Sequence, residues 1–235
     1  MLKTLANGAL FGKKKQQGEL GYFSRLWIRT SSSLSSDAET KLLSTFLDTF
    51  RSTRIYIELE HYGLQFINTY VLKTTAEERE KDRAIDSAVV LTHGYGGGAG
   101  MFYHTLSHLG KNRDQHVYAL DWLGMGRSSR PTSGLMSMSG KGYPQRPFLT
   151  LTRKKAEEVS DECISYFVES LELWRKAMNI SKLQLVGHSL GGYLSARYAL
   201  AYPERVEKLV LLSPVGVPDL PSESKEEEVP EFVKR

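Results

Sequence analysis

The stretch that most constrains this chain runs from Lys182 to Tyr193 and reads Lys-Leu-Gln-Leu-Val-Gly-His-Ser-Leu-Gly-Gly-Tyr. An apolar run, Leu183 to Val186, enters Gly187-His188-Ser189-Leu190-Gly191. A segment with Ala and Leu at helical spacing leaves it and stops at Pro203. Strand, sharp turn, helix is the setting in which Gly-x-Ser-x-Gly holds a serine in strained backbone geometry, its hydroxyl raised above a sheet. Gly187 and Gly191 suit such a turn because a Cβ at either position would meet the neighbouring strand or helix. The backbone N–H of Leu190, at the start of the helix, then lies close to any oxyanion formed at Ser189. The bland alternative is a Gly-rich turn with an ordinary capping serine; other parts of the chain argue against it.

Ser87 to Gly98 is the second informative stretch. A buried strand, Ala88 to Leu91, ends in His93-Gly94 and a glycine cluster. Such a loop can turn backbone N–H groups inward with no side chain in the way, as an oxyanion hole requires. By position the donor is the N–H of Tyr95, paired with that of Leu190. His93, Gly94 and His188 would support this loop and the serine turn. A phosphate-binding glycine loop is disfavoured. The chain lacks both a Gly-Lys-Ser/Thr ending and a complete Gly-x-Gly-x-x-Gly with a later ribose-binding acid. Farther on, Asp121, Gly124, Gly126, Ser128 and Pro131 shape a tight strand exit, where Asp121 braces the turn by hydrogen bonds. His116 and Asp121 also read His-x4-Asp, but five strand positions separate them, so their side chains point to opposite faces.

The remainder organises around these stretches. Residues 1–36 hold six Lys/Arg and one acid and end in a Ser-rich run, so most of the net charge of +4 sits there. They read either as a mitochondrial targeting segment or as a disordered basic tail that can touch anionic lipid. The rest of the chain is close to neutral and gives no argument for nucleic acid. A helix is expected from Ser36 or Asp37, with Leu42, Leu43, Phe46, Leu47 and Phe50 on its apolar side. A hairpin follows (Arg54 to Glu60, Gln65 to Lys73), then a charged connector to Asp86. Residues 132–150 read as a loop over the site entrance, where Met136, Met138 and Phe148 either meet an acyl chain or pack the loop down. A long helix from Lys154 to Met178 places Val159, Cys163, Phe167, Leu171, Trp174 and Met178 on one core-facing stripe. Cys163, the single cysteine, reads as an inert buried thiol and excludes an intramolecular disulfide. A last buried strand covers Val206 to Leu212. No metal or cofactor motif is present, and no apolar run approaches a membrane span.

The order of two strands and then alternating strands and helices resembles the first two-thirds of an α/β-hydrolase domain, over about residues 37–221. His93-Gly-Tyr-Gly-Gly-Gly-Ala-Gly100, Asp121-Trp-Leu-Gly-Met-Gly-Arg-Ser-Ser-Arg-Pro131, Trp174-Arg175 and Gly187 to Tyr193 are similar to the α/β-hydrolase-domain 4/5 branch, with its cardiolipin-specific deacylases and lysophosphatidic acid acyltransferases. The resemblance implies an α/β fold with a mostly parallel sheet and helices on both faces. It implies a serine-dependent acyl-ester hydrolase or acyltransferase, with Ser189 as nucleophile and a phospholipid or lysophospholipid as substrate. Association with a membrane surface or a mitochondrion goes with it; otherwise the location would be cytoplasmic. Some members carry asparagine in place of the elbow serine and act as lipase co-activators, so a non-catalytic, lipid-binding or lipase-regulating protein is the alternative. The family triad runs Ser, acid, His. No histidine follows Ser189 here; the six are His61, His93, His104, His108, His116 and His188, and Asp219 is the only later aspartate. The expectation is therefore a chain lacking the C-terminal part of the domain, with residues 222–235 beginning a lid or linker and the acid and base absent.

Overall fold

A computed structural model describes residues 31–46, 50–72, 84–111, 115–131 and 153–216. Helix α1 (Ser32–Phe46) leads into a hairpin of strands β1 (Phe50–Leu59) and β2 (Gly63–Leu72). Parallel strands β3 (Ile85–Thr92), β4 (His116–Leu120), β5 (Ile180–His188) and β6 (Val206–Leu212) follow. A 3-10 turn (Ala99–Phe102) and helix α2 (Tyr103–Leu109) lie between β3 and β4; helix α3 (Arg153–Ala177) precedes β5, and helix α4 (Leu190–Ala201) follows it. The six strands make one sheet in the order β1-β2-β4-β3-β5-β6, antiparallel at β1/β2 and β2/β4 and parallel elsewhere.

Strand β3 shows why the sheet has two covered faces. Its residues Ala88 to Leu91 are all buried, and side chains alternate across a strand. Val89 and Leu91 join Leu43 of α1 and Leu106 of α2 on one face, with Tyr70, Phe102 and Val117. Ala88 and Val90 join Phe167, Leu171 and Trp174 of α3 and Leu194 and Tyr198 of α4 on the other. The continuous apolar run therefore becomes two cores, one per face. The buried Trp174 indole has a partner, donating to Thr69 Oγ1 at 2.9 Å.

Three expectations shift. Helix α1 starts at Ser32, not Ser36 or Asp37, because Ser31 supplies the cap: its Oγ accepts from Leu34 N–H at 3.2 Å. Leu43 is buried on α1 while Leu42 and Phe46 are partly exposed, and Phe50 belongs to β1. Cys163 is not buried but half-exposed at the margin of the α3 stripe, where burial still pushes its thiol pKa up. Leu47, most of the charged connector, residues 1–30, the 132–150 loop and the 222–235 segment lie outside the described residues.

One buried cluster holds the helix that follows the serine turn. Glu172 and Arg175, both buried on α3, form a two-pronged ion pair (2.8 and 2.6 Å), and Tyr198 of α4 donates to Glu172 at 2.6 Å. Arg175 also donates to the carbonyl of Ile180, so one cluster ties the end of α3, the start of β5 and the middle of α4. Burial alone would raise the Glu172 pKa, but hydrogen bonds from Arg175 and Tyr198 hold it below the ordinary value. At the sheet margin, β6 departs from the buried strand expected over Val206 to Leu212: among the described residues it pairs with β5 alone, and Leu209, Val210 and Leu212 are exposed.

Candidate active site

The parallel strands β3, β4 and β5 end at one edge of the sheet, where binding sites of such sheets gather. Ser189 follows β5 with φ 53° and ψ −119°, a conformation that costs a non-glycine residue of the order of 1–3 kcal/mol. Its backbone is fully engaged. Ser189 N–H donates to Leu212 O at 3.0 Å, and its carbonyl accepts from Tyr193 N–H at 3.1 Å and Val215 N–H at 3.3 Å. Its side chain makes no capping bond to α4, so the capping-serine alternative fails. The sequence supports this turn by what it omits. A Cβ at Gly187 would stand 2.6 Å from both the Gly191 carbonyl oxygen and the Gly192 Cα, and one at Gly191 would overlap the Thr92 and His93 carbonyls. Thr92 completes the brace, its Oγ1 donating to Gly191 O at 3.2 Å beside Ser195 Oγ at 3.1 Å.

Gly94 faces Ser189 directly. A Cβ on it would lie 3.0 Å from Ser189 Cβ, 3.4 Å from Ser189 Oγ and 3.3 Å from His188 Nδ1. The glycine loop and the serine turn thus meet, which brings Gly94, Gly187, His188, Ser189 and Gly191 together. Tyr95 follows Gly94 with its side chain turned out, 85% exposed, so only its backbone borders the loop. Leu190 opens α4, whose first-turn N–H groups have no intrahelical acceptor.

His93 holds the loop from below. It is fully buried; its Nδ1 donates to Gly94 O at 2.7 Å and its Nε2 accepts from Trp122 N–H at 3.1 Å. That pair of bonds requires the neutral ring protonated on Nδ1. Burial is the chief reason its pKa falls below 6.5, with Gly94 O and Asp121 acting in the opposite sense. Trp122 returns a second bond, indole Nε1 to His93 O at 3.0 Å. His93 is thus committed to the backbone. His188 Nδ1 is buried without a hydrogen-bond partner, and among the described residues no imidazole bonds Ser189.

Asp121 has the bracing role expected of it, and is more fully bonded than the turn alone required. Its Oδ1 accepts from Ala99 N–H at 2.6 Å; its Oδ2 accepts from Asn68 Nδ2 and Arg127 N–H, each at 2.9 Å. It therefore joins the glycine loop to the 121–131 turn and to β2. Trp122 and Arg127, singled out only as parts of the 121–131 motif, take part in this framework, as do Asn68 and Glu39, which had not stood out in the sequence. Asn68 carried one signal, a polar residue inside the apolar run of β2. Among the described residues no group of three or more His, Cys, Asp or Glu is placed to hold a metal, and no helix is long and apolar enough to cross a membrane.

Comparison with known proteins agrees with this architecture. The family described as the alpha/beta hydrolase fold matches residues 87–233. The chain is 33% identical to the (lyso)-N-acylphosphatidylethanolamine lipase of Mus musculus over 218 residues, covering 93% of this chain and 53% of the lipase. It is 36% identical to the 1-acylglycerol-3-phosphate O-acyltransferase ABHD5 of Pongo abelii over 194 residues, covering 82% of this chain and 45% of that protein. The chain thus spans about half the length of the curated relatives it matches. Among solved structures, a membrane phospholipase A described as a bacterial virulence factor superposes with a TM-score of 0.54 at 20% identity, over 86% of this chain and 50% of that one. The carboxylesterase CesB of Bacillus subtilis gives 0.51 at 19% identity, over 78% and 50%. The fold, the serine turn and these matches lead to one assignment: this chain belongs to the α/β-hydrolase family, on the side of its domain 4/5 branch.

Proposed function

We propose that Ser189 is the nucleophile of an acyl-ester hydrolase or acyltransferase acting on phospholipid or lysophospholipid. The observation that carries this reading is the Ser189 turn: positive φ, a fully bonded backbone, and a hydroxyl released from capping against Gly94. Ser189 Oγ attacks the ester carbonyl carbon while a general base takes its proton, and the carbonyl electrons move to the oxygen. The Tyr95 and Leu190 N–H groups receive that oxyanion. Collapse expels the lysolipid or alcohol, which takes the proton back, and leaves an acyl group on Ser189. Water or the hydroxyl of a lysolipid then accepts it. Neither histidine beside the turn serves as that base: both nitrogens of His93 are occupied, and His188 ends the strand that leads straight into the nucleophile.

Relatives named as a (lyso)-N-acylphosphatidylethanolamine lipase and a 1-acylglycerol-3-phosphate O-acyltransferase support this substrate class. A lysophosphatidic acid-like or cardiolipin-like lipid, met at a mitochondrial or other membrane surface, is the narrower form of the proposal. One observation favours the alternative, a non-catalytic lipid-binding or lipase-regulating role: no imidazole reaches Ser189 among the described residues. A fluorophosphonate probe separates the two on a version extended to the length of the relatives. Labelling that disappears in Ser189→Ala supports the hydrolase; absence of labelling in the extended wild type sinks it. Labelled lysophosphatidic acid as acceptor then distinguishes transfer from hydrolysis. The 235-residue chain itself is expected to show no ester turnover above that of its Ser189→Ala variant.

A further inference from the structure

Helix α1 lies before the region matched by the family, yet one of its side chains reaches the glycine loop. Glu39 Oε1 stands 3.4 Å from where a Cβ on Gly100 would be and 3.7 Å from the equivalent point on Gly98. Asp121 Oδ1 lies 3.3 Å from that same point on Gly98, so two carboxylates flank one segment of the loop. A network holds Glu39 there. Tyr70 of β2 donates its hydroxyl to Glu39 Oε2, and Arg127 approaches the same oxygen at 3.6 Å. The Arg127 guanidinium also donates to Tyr70 Oη and Ser52 Oγ, each at 3.4 Å, while its backbone N–H donates to Asp121. Arg127 therefore joins the two carboxylates, one through its side chain and one through its main chain. Loop glycines give a segment no side chains with which to anchor itself, so its order must come from neighbours. Asp121 supplies one anchor through Ala99 N–H.

We infer that Glu39 is a positioning residue for the glycine loop: with Arg127 and Tyr70 it clamps Gly98–Gly100 and so fixes the loop that presents the Tyr95 N–H to Ser189. The link to chemistry rests on the function proposed above; the clamp itself does not. Three loop amides report on it, because Gly97 N–H bonds Gly94 O, Ala99 N–H bonds Asp121 and Met101 N–H bonds Gly98 O. Amide hydrogen exchange on the 235-residue chain, comparing residues 94–102 with residues 180–201, tests the inference in wild type, Glu39→Gln and Glu39→Ala. Glu39→Gln keeps an oxygen for the Tyr70 hydroxyl and loses the charge that faces Arg127. The expectation is exchange at 94–102 faster by about tenfold in Glu39→Gln and about a hundredfold in Glu39→Ala, with 180–201 unchanged. Exchange at 94–102 within about threefold of wild type in both variants overturns it, as does equal acceleration of both segments in Glu39→Gln, which marks a merely structural residue. Should Glu39→Ala fail to fold, the Glu39→Gln result decides alone. Fluorophosphonate labelling on the extended version supplies the chemical readout. If Ser189 labels, Glu39→Ala lowers the rate of the covalent step and leaves probe binding unchanged. If wild type does not label but the exchange pattern holds, the proposed chemistry fails and the clamp stands; labelling with unaltered exchange rejects the clamp.

Discussion

Ser189 sits in a turn whose strain is balanced by three backbone hydrogen bonds and by glycines placed where a methyl group would collide with main chain. Main-chain atoms cannot swing aside as a lysine tip can, so Gly191→Ala is expected to lower unfolding free energy by about 2–3 kcal/mol in denaturant titration. His93 gives a pH signature. Its folded-state pKa lies below 6.5, so the unfolded chain takes up the proton first. The stabilisation is present above 6.5 and is lost as pH falls toward the lowered folded value. Protonation also removes the acceptor that Trp122 N–H uses. Denaturation midpoints followed from about pH 7 to about pH 5 should fall in wild type, and by less in His93→Gln. Asp121 was legible in the sequence because a carboxylate ahead of Gly, Ser and Pro has a turn to brace. Glu39 was not. On α1 it looks like any charged residue on a solvent face, and its partners Tyr70 and Arg127 are distant in the chain.

At the level of elements, the Glu172–Arg175–Tyr198 cluster does for α4 what Asp121 does for the glycine loop. Removing one member strands a buried charge, so Arg175→Met is expected to cost about 3–5 kcal/mol, whereas Glu172→Leu combined with Arg175→Met should cost less than the two singly summed. The Glu172 pKa is depressed, so its contribution is present above 4.5 and is lost as pH falls through the folded value. Thermal melts of the single and double variants check both statements. The elements themselves were legible from local patterns. Two short apolar runs around His61-Tyr62-Gly63 fold as the hairpin, with Leu59 opposite Gly63, and the spacing from Phe167 to Trp174 marks the buried stripe of α3. Helix starts were less so: Ser31 competes with several neighbouring serines as a cap, and nothing in composition separates them.

For the molecule as a whole, the mostly parallel sheet with helices on both faces follows from β3 being apolar on successive residues. The strand order does not follow, because pairing across a sheet is a long-range choice. Strand β4 inserts between β2 and β3, which are neighbours in sequence. Among the described residues β6 is the outer strand, with β5 as its one partner and apolar side chains such as Val210, 45% exposed. An edge of this kind templates pairing with other chains. Val210→Lys is expected to reduce concentration-dependent self-association in sedimentation or size-exclusion runs, while unfolding free energy changes by no more than about 1 kcal/mol.

That same strand order governs how the chain comes off the ribosome. The hairpin of β1 and β2 can close as soon as it emerges, but β3 finds no partner in it and must wait for β4 to arrive and bridge the two. Its other flank stays open longer still, until β5 delivers Leu185 to Val90 after all of α3 has been synthesised. For that interval a strand with four successive buried apolar residues, Ala88 to Leu91, is half-paired, and pairing across so long a separation is slow. Nascent chains paused within α3 should therefore be the ones that hold chaperones most strongly, and release should coincide with the appearance of β5.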